Sequence, residues 1–335
     1  MVKVAVVGAT GAVGREMLKT LSERNFPAKQ VVALASEQSS GKQVSFGEEK
    51  LLTIQPLTHY DFHGTDIALF SAGSQRSKEF APKAAAAGCY VVDNSSYFRM
   101  HQDVTLIVPE VNGNNLQSTQ SKIIANPNCV AIPLVMVLKA LESLASIERA
   151  VVSTYQSVSG KGRKAMDELF RQTKAVMVGD AIAKEEFPKQ IAFNLFPHID
   201  TFREDGITFE EWKVMEETQK MLGKPINLSV TCVRVPVFIG HSLSVNVVFK
   251  DEVSVKNAHS ALKKMPGISV VDNPKEDLYA TPIDCAGDDD VLVSRVRVDP
   301  SVPHGLNLWI VSDNLRKGAA LNAVQIAEKL LSLVF

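Results

Sequence analysis

Cysteine is scarce in this chain, with only four residues among 335, at positions 89, 129, 232 and 285. They are widely separated, and no two of them form a CxxC pair. This spacing argues against a disulfide framework and against a zinc site, so we expect no bound metal. It fits thiols that stay reduced in the cytosol.

The chain also lacks an excess of charge, a long apolar run and a recognisable export signal. Its formal net charge of -1 gives no electrostatic reason to expect nucleic acid or an anionic membrane as partner. No apolar run reaches the roughly 20 residues that a membrane-spanning helix needs. After Met1 the sequence enters the strand-like VKVAVV without a basic region or cleavage site. We therefore expect a cytoplasmic protein that acts on small molecules.

The first half of the sequence alternates between strand-like and helix-like patterns. Predicted helices cover 14–24 and 78–88, and predicted strands cover 2–8, 30–36, 66–73, 90–96, 105–112 and 121–128. Strands that alternate with helices indicate parallel βαβ units. The sequence thus predicts an α/β fold with an N-terminal Rossmann-type, doubly wound parallel sheet.

The pattern changes after about residue 128, where longer β-rich segments begin. Several of these alternate polar with apolar residues, which is typical of a sheet with unlike faces. Predicted strands cover 151–158, 227–237, 243–249, 291–298 and 306–312, and predicted helices cover 162–176, 209–222, 255–264 and 315–334. We expect a second, α+β domain with a mixed or antiparallel sheet.

A glycine-rich turn joins the first predicted strand to the first predicted helix. In GATGAVG, glycines at 8, 11 and 14 would let a dinucleotide pyrophosphate approach the backbone at a helix N-terminus. The spacing is GxxGxxG, so the general GxGxxG fingerprint is met only loosely. The alternative is a tight βα turn without a ligand.

The end of the second predicted strand bears on which nucleotide binds. The segment ASEQSSGK, 35–42, offers hydroxyls, a glycine and a lysine, which suit the 2′-phosphate of NADP. Glu37 complicates this, since an acidic residue here usually binds the ribose 2′-hydroxyl of NAD. We favour NADP, and the alternative is a polar surface loop.

Cys129 follows a turn-forming Asn-Pro-Asn run and precedes an apolar stretch. A cysteine where a helix begins is favoured as the reactive thiolate. A free cysteine is also a small apolar residue that is often simply packed. Both readings remain open from these residues alone.

Other residues could serve a nucleophilic thiol. Arg234 lies within an apolar strand and needs a carboxylate partner, from the protein or from a substrate. His241 is a possible acid–base group or a hydrogen-bonded loop residue. Glu210 and Lys213 are three apart on a predicted helix, which is usually a solvated ion pair. Arg99 is a possible anion ligand or an exposed loop arginine.

Taken together, these segments resemble the aspartate-semialdehyde dehydrogenase family, and the resemblance covers essentially the whole chain. The segments that carry it occur in the family's order and spacing: VAVVGATGAVG, DNSSYFRM, VPEVN, NPNC, YQSVSGKG, EEWK, CVRVPVFIGHS and SDNLRKGAA. The resemblance implies an NADP-binding domain of residues 1–128, completed by a C-terminal helix 314–335. It implies a catalytic and dimerisation domain of residues 129–313.

The resemblance also implies roles for individual residues. Cys129 would be the nucleophile, Gln156 would orient the substrate and His241 would be the acid–base group. The substrate would be held by Arg234 at its α-carboxylate, by Glu210 at its α-amino group, by Lys213 and Arg99 at its phosphate, and by Asn128. The cofactor-binding residues would be Gly8, Thr10, Gly11, Ala12, Val13, Ser36, Gln38, Ser39, Ser71, Gly73, Ser159, Gly160 and Asn314.

The implied reaction is NADPH-dependent reductive dephosphorylation of 4-aspartyl phosphate to L-aspartate 4-semialdehyde through an acyl-thioester. It serves the biosynthesis of lysine and diaminopimelate, threonine, methionine and isoleucine. The implied assembly is a homodimer or a dimer of dimers.

The chain departs from the family pattern at Leu243, at Gln38 and in the segment Val130–Pro133, which leaves catalytic rate and strictness for NADP open. Two alternatives remain. One is N-acetyl-γ-glutamyl-phosphate reductase, with the same chemistry on a longer substrate. The other is a nucleotide-binding homologue without catalysis.

Overall fold

The computed structural model describes residues 1–48 and 50–334. Its helices are α1 Ala12–Glu23, α2 Ser74–Ala86, α3 Pro109–Asn112, α4 Ala131–Glu142, α5 Arg163–Val178, α6 Phe209–Leu222, α7 Val255–Lys264, α8 Pro282–Cys285 and α9 Leu321–Val334. The chain divides into two compact units, Met1–Asn128 with Gly318–Phe335, and Cys129–Lys317. Residues 314–317, which we expected in the first domain, belong to the second unit in this division.

The first unit contains a parallel sheet. The strands of this unit are β1 Val2–Val7, β2 Ala28–Ala35, β3 Gln43–Phe46, β4 Lys50–Thr53, β5 Gln55–Pro56, β6 Ile67–Phe70, β7 Tyr90–Asp93, β8 Thr105–Leu106 and β9 Ile123–Ala125. The sheet order is β5-β2-β1-β6-β7-β9-β8, and every pairing in it is parallel. The predicted doubly wound parallel sheet is therefore confirmed. Its strands are apolar on both faces because helices cover both, as VKVAVV in β1 and IALF in β6 show.

Two details of this unit differ from the sequence prediction. We expected a strand over 105–112, but the strand ends at Leu106 and Pro109 starts the short helix α3. Proline suits the first helical turn because it has no N–H to leave unpaired there. The antiparallel hairpin of β3 and β4 was not predicted.

The last helix, α9, completes the core of the first unit. Its apolar face packs with residues of β1, α1 and β6, and this face consists of Ala323, Val324, Ile326, Ala327 and Leu330. The amphipathic pattern of the sequence predicted this helix over 315–334, although residues Arg316–Ala320 form a π-helix that precedes α9.

The second unit is built on a mixed sheet. The strands of this unit are β10 Ile147–Gln156, β11 Asn227–Arg234, β12 His241–Phe249, β13 Ile268–Val270, β14 Asp272–Asn273, β15 Leu278–Tyr279, β16 Val291–Asp299 and β17 Gly305–Ser312. Strands β14 and β15 pair with each other in a separate two-stranded sheet. The order of the mixed sheet is β11-β10-β12-β17-β16-β13, with parallel pairs at both ends and antiparallel pairs between them. The predicted mixed sheet is confirmed. The apolar helix α4 is almost wholly buried and contacts α6, α7 and β17.

Candidate functional site

The mixed sheet brings three predicted site residues to one edge. Gln156 ends β10 and pairs in register with Arg234, which ends the parallel strand β11. His241 begins β12, which runs antiparallel to β10, so it lies at the same edge. All three side chains are buried. Residues that are far apart in the sequence therefore meet because of strand direction and register.

Cys129 lies just before the buried helix α4. The N-cap is Val130 and the helix begins at Ala131, so the thiol precedes the first turn rather than standing in it. Pro133 is in that first turn, where proline is tolerated. Cys129 is half-buried, whereas Cys89, Cys232 and Cys285 are buried.

Burial disfavours the thiolate form of the other three cysteines. It raises the pKa of Cys89 and of Cys285 to about 12 and raises the pKa of Cys232 as well. Such thiols stay protonated and unreactive. None of the four cysteines, all of which lie in the described part of the chain, is in a disulfide.

A pocket of about 470 Å³ opens in the second unit beside Cys129. It combines one thiol with carboxylates, cations and aromatic rings. Its lining residues are Cys129, Gln156, Gly160, Lys161, Phe187, Pro188, Phe196, His198, Ile199, Asp200, Thr201, Glu210, Lys213 and Arg234. The structure thus brings together the predicted nucleophile and all three predicted substrate-binding residues of this unit, Glu210, Lys213 and Arg234.

Ion pairs and hydrogen bonds along one wall of the pocket link two residues of α6, Glu210 and Lys213, to Gln156 and Asp200. Gln156 donates from Nε2 to Glu210 Oε1 at 3.0 Å, and Lys213 Nζ lies 2.7 Å from Glu210 Oε2. Lys213 also donates to Asp200 Oδ2 at 2.9 Å. Burial lowers the pKa of Lys213, but the two carboxylates outweigh burial and hold that pKa above its usual value. The lysine is therefore a fixed cation in the pocket.

Arg234 is a further cation that lines the pocket. Its side chain is buried, and Nη1 donates to the carbonyl oxygen of Ser157 at 2.5 Å. Burial lowers the pKa of Arg234, while Glu210 opposes this. A guanidinium that lines a pocket can bind a carboxylate through two parallel hydrogen bonds.

His241 is held in one tautomer by the backbone. Its Nδ1 accepts from the N–H of Ser157 at 3.1 Å. We assign the ring hydrogen to Nε2, because a backbone N–H can only donate. Burial, followed by the charge of Arg234, lowers the pKa of His241 to about 3, while Glu210 and the Gly240 backbone oppose this. The ring is therefore neutral and presents an N–H donor.

The Nε2 atom of His241 is buried and has no hydrogen-bond partner among the residues that the structure describes. A Cβ atom added to Gly160 would come within 3.3 Å of this nitrogen and 3.4 Å of Arg234 Nη1. Gly160 lines the pocket, so the donor lies directly behind the pocket wall. A buried donor without a partner is uncommon, so this one calls for a structural or functional explanation.

Ser157 connects these groups. Its hydroxyl oxygen lies 3.0 Å from His241 Nδ1 and 3.1 Å from Asn314 Oδ1. Asn314 in turn accepts from Gly240 N–H and donates to Ser159 Oγ. The predicted residues Ser159 and Asn314 thus belong to a hydrogen-bonded network behind the histidine.

The sequence prediction missed two parts of this site. Ser157 lies within YQSVSGKG, but its role could not be predicted there, because its contact with His241 spans 84 positions. The pocket wall from Phe187 to Thr201 was not predicted either. Asp200 has a positive φ of 69°, which no sequence pattern predicted. The charged residue in FPHIDT is the one sequence signal that could have indicated Asp200 as a site residue.

The predicted nucleotide turn lies in the first unit, where β1 neighbours both β2 and β6. Gly8 has a φ of 89°, and a Cβ there would stand 2.3 Å from the carbonyl oxygen of Ser71. Gly11 is the N-cap of α1 and no side chain caps this end. The sheet order reverses at β1, which is where doubly wound folds bind ligands. Free N–H groups at a helix N-terminus suit a pyrophosphate.

The remaining predicted cofactor residues of this unit surround the same strand ends. Thr10, Ala12 and Val13 lie in the turn and at the start of α1, and Gly73 caps α2. The predicted residues Ser36, Gln38 and Ser39 follow β2 and are half-buried or exposed.

Glu37, in the same segment, accepts a hydrogen bond from Thr58 Oγ1 at 3.0 Å. Its carboxylate also lies 3.8 Å from His59 Nε2. The acidic residue that complicated the choice of nucleotide therefore has partners within the protein.

Arg99 and Asn128 lie in the first unit. Arg99 is buried and donates from Nε to the carbonyl oxygen of Asn126 and from Nη2 to that of Asn94, both at 2.9 Å. It thus spans the ends of β7 and β9. Asn126, which the sequence left without a role, receives a hydrogen bond from Asn322 and fixes the turn before Cys129.

Among residues 1–48 and 50–334, no group of three or more His, Cys, Asp or Glu side chains is arranged to hold a metal ion. No helix in those ranges is long and apolar enough to cross a membrane.

Comparison with known proteins identifies the two units separately. The family model "Semialdehyde dehydrogenase, NAD binding domain" matches residues 3–119. The model "Semialdehyde dehydrogenase, dimerisation domain" matches residues 138–317.

Several similar proteins are named aspartate-semialdehyde dehydrogenase and match this chain over nearly its full length. The aspartate-semialdehyde dehydrogenase of Rickettsia bellii is 52% identical over 98% of this chain and 97% of its own length. That of Aquifex aeolicus is 51% identical over 98% of both chains. The crystal structure of aspartate semialdehyde dehydrogenase II from Vibrio cholerae, complexed with ASA, has a TM-score of 0.97 at 44% identity and covers 100% of this chain and 99% of its own. The chain therefore belongs to the semialdehyde dehydrogenase family, among the aspartate-semialdehyde dehydrogenases.

Proposed function

We propose that this protein reduces 4-aspartyl phosphate to L-aspartate 4-semialdehyde and releases phosphate. The observation that carries the proposal is the pocket in which the half-buried Cys129 faces Arg234 and the Glu210–Lys213 pair. Relatives of the same family, about 50% identical over nearly their full length, bear the corresponding name. A substrate with a carboxylate, an ammonium and a phosphate matches these charges one by one.

The two ends of the substrate are proposed to bind different residues. The α-carboxylate binds the Arg234 guanidinium, and the α-ammonium binds Glu210, whose carboxylate is oriented by Gln156. The phosphate binds Lys213, and Arg99 and Asn128 are proposed as further ligands. Glu210 argues for a free amino group and against the N-acetylated substrate of the alternative reductase.

The proposed chemistry begins at the thiolate of Cys129. It attacks the acyl carbon, the C–S bond forms, and the bond to the phosphate oxygen breaks, which leaves an acyl-thioester on the protein. His241 is proposed to act at the carbonyl oxygen, where negative charge develops as the thioester is reduced. The C–S bond then breaks, the aldehyde leaves and the thiolate is restored. The acid–base role that the resemblance implies for His241 stays a prediction.

NADP is the proposed cofactor, and its nicotinamide supplies the hydride for the reduction. The glycine turn, with Gly8 at positive φ and an uncapped α1, fits a pyrophosphate. Because Glu37 already accepts a hydrogen bond from Thr58, we propose Ser36, Gln38 and Ser39 as the contacts of the 2′-phosphate. Ser159, Gly160 and Asn314 are proposed near the nicotinamide half.

The proposed working form is a homodimer in the cytoplasm. The dimerisation-domain match covers residues 138–317 and supports the first part. The absence of disulfides among the four cysteines, all in the described ranges, fits the reducing compartment. Sedimentation equilibrium should give twice the chain mass of 36.5 kDa for a dimer and four times for a dimer of dimers.

The decisive experiment measures phosphate-dependent reduction of NADP+ by the purified full chain with L-aspartate 4-semialdehyde. NAD+ and N-acetylglutamate 5-semialdehyde are run in parallel. We expect Cys129→Ser to lower kcat by about 1,000-fold or more, because removal of a nucleophile abolishes the covalent route. Cys285→Ser is the matched control, because the Cys285 thiol donates to the carbonyl oxygen of Pro282, as a serine hydroxyl can.

The outcomes separate the candidate functions. Turnover that needs phosphate and Cys129 supports the proposal. Turnover of the acetylated aldehyde alone would assign the other reductase activity. No turnover in a protein that still binds NADPH would leave the non-catalytic homologue.

A further inference from the structure

The cation proposed to bind phosphate is already engaged by two carboxylates. Lys213 Nζ lies 2.7 Å from Glu210 Oε2 and 2.9 Å from Asp200 Oδ2, and only 16% of its side chain is exposed. An ammonium has three N–H donors, so two are committed before any ligand arrives. A phosphate that binds Lys213 must share it with these carboxylates or displace one of them.

The two carboxylates are not equally fixed. Glu210 lies on α6, is 7% exposed and accepts a second hydrogen bond from Gln156. Asp200 is 41% exposed and lies outside the helices and strands, in a left-handed conformation with a φ of 69°. Its other oxygen, Oδ1, accepts only from the adjacent N–H of Thr201 among the contacts described. Asp200 is therefore the carboxylate that can turn away.

The negative charge of Asp200 opposes the binding of phosphate at Lys213. A phosphate dianion and the Asp200 carboxylate compete for the same lysine, and like charges close together repel each other. We propose that Asp200 controls phosphate affinity: it occupies Lys213 in the phosphate-free pocket and is displaced by the phosphate group. This inference rests on the proposed function, because it takes phosphate to be the ligand of Lys213.

Competition between Asp200 and phosphate for Lys213 affects the two directions of the reaction differently. When phosphate leaves the acyl group, Asp200 can bond to Lys213 again and so favours release of the anion. The same competition weakens the binding of inorganic phosphate in the reverse reaction. The residue thus tunes phosphate affinity without touching the end of the substrate that binds Arg234.

The test compares Asp200→Asn with the wild-type full chain in the phosphorylating direction. Asparagine has the same shape, tolerates a left-handed φ and can still accept from Lys213, but it carries no charge. We expect the KM for phosphate to fall about fivefold, in line with loss of one partly exposed competing ion pair. The KM for the aldehyde should not change. In the biosynthetic direction, inhibition by phosphate should become stronger by a similar factor.

The matched control is Asp205→Asn, a nearby carboxylate that does not line the pocket. It accepts from the N–H of Ile207 and pairs with Arg203 at 3.4 Å. This variant should leave both KM values unchanged. A change equal to that of Asp200→Asn would show that general surface charge, and not competition at Lys213, sets phosphate affinity, and would overturn the inference.

Two further results would overturn it. If Asp200 only orients the lysine, the KM for phosphate will rise in Asp200→Asn; if Asp200 does not compete, it will stay the same. Calorimetric titration with inorganic phosphate gives a readout that does not need turnover. A wild-type chain that fails to turn over refutes the proposed function, whereas tighter phosphate binding by Asp200→Asn would still support the competition.

Discussion

At the scale of single residues, neighbours set the charge of the side chains in the pocket. Lys213 keeps its charge under burial because Glu210 and Asp200 flank it. His241 loses its charge because it is buried beside Arg234 with no carboxylate bonded to it in the described contacts. Neighbouring charges therefore decide that Lys213 remains a cation, while full burial beside Arg234 leaves His241 a neutral donor.

The state of His241 leads to a prediction about pH and stability. Its pKa is about 3 in the folded protein and about 6.5 in the unfolded chain. Between these values the unfolded state binds more protons, so the free energy of unfolding falls as the pH is lowered. From pH 7.5 to pH 5 this residue should account for a loss of about 2 kcal/mol.

His241→Gln removes the titrating group and keeps an amide donor near the position of Nε2. Its free energy of unfolding should fall by about 2 kcal/mol less than that of the wild type over the same pH range. Urea unfolding at several pH values measures the difference, and other titrating groups cancel between the two proteins. Parallel pH curves for the two proteins would contradict a neutral, buried histidine.

At the scale of elements, the start of α6 positions two of the charged groups in the pocket. Thr208 is a buried N-cap whose side chain accepts from the N–H of Glu211, while the Glu211 side chain accepts from the N–H of Thr208. This capping box holds the first turn, which bears Glu210, and the next, which bears Lys213. The cap therefore serves both the stability of the helix and the placement of charge.

Thr208→Ala should lower the free energy of unfolding by about 1 kcal/mol, because an N-cap hydrogen bond is lost. It should also raise the KM for the aldehyde or for phosphate, since the first turn of α6 loses its anchor. Thermal unfolding and steady-state kinetics measure the two effects.

Ser254→Ala is the matched control, at the N-cap of α7, where Ser254 accepts from the N–H of Asn257. It removes a similar cap from a helix without predicted site residues. We expect a comparable loss of stability and unchanged KM values. Kinetic changes of equal size in both variants would mean that general loosening, and not the position of α6, alters the pocket.

At the scale of the whole molecule, the chain leaves its first unit at Asn128 and returns to it at Gly318. The first unit is therefore completed only by the last residues, and α9 fills its core with small and branched side chains. Leu330 is 1% exposed in that core, whereas Leu333 on the same helix is 42% exposed. Substitutions in the buried face of α9 should therefore lower the stability of the nucleotide-binding unit.

Leu330→Ala should destabilise the first unit by about 3 kcal/mol, the usual result of a cavity in a packed core. Leu333→Ala should change stability by less than about 0.5 kcal/mol, since its side chain is already in solvent. Calorimetry would show a lower transition temperature for Leu330→Ala alone. Equal effects of the two substitutions would contradict the packing of α9 described above.

Much of the architecture could be predicted from local patterns. The alternation of VKVAVV and IALF with helical segments predicted the parallel sheet, because both faces of such strands are buried. Gly8 and Gly11 marked the turn after β1, and the position of Cys129 after Asn-Pro-Asn marked a candidate nucleophile. Period, turn chemistry and chain order are local properties, so the sequence by itself determines them.

The contacts that define the chemical state of the site depended on the tertiary structure. Ser157 meets His241 across 84 positions, and Asp200 meets Lys213 from a loop with no regular pattern. Such contacts follow from the register of β10 against β11 and β12 and from the burial it imposes. The sequence determined which groups are available, and the fold decided which of them are charged, paired and close enough to act together.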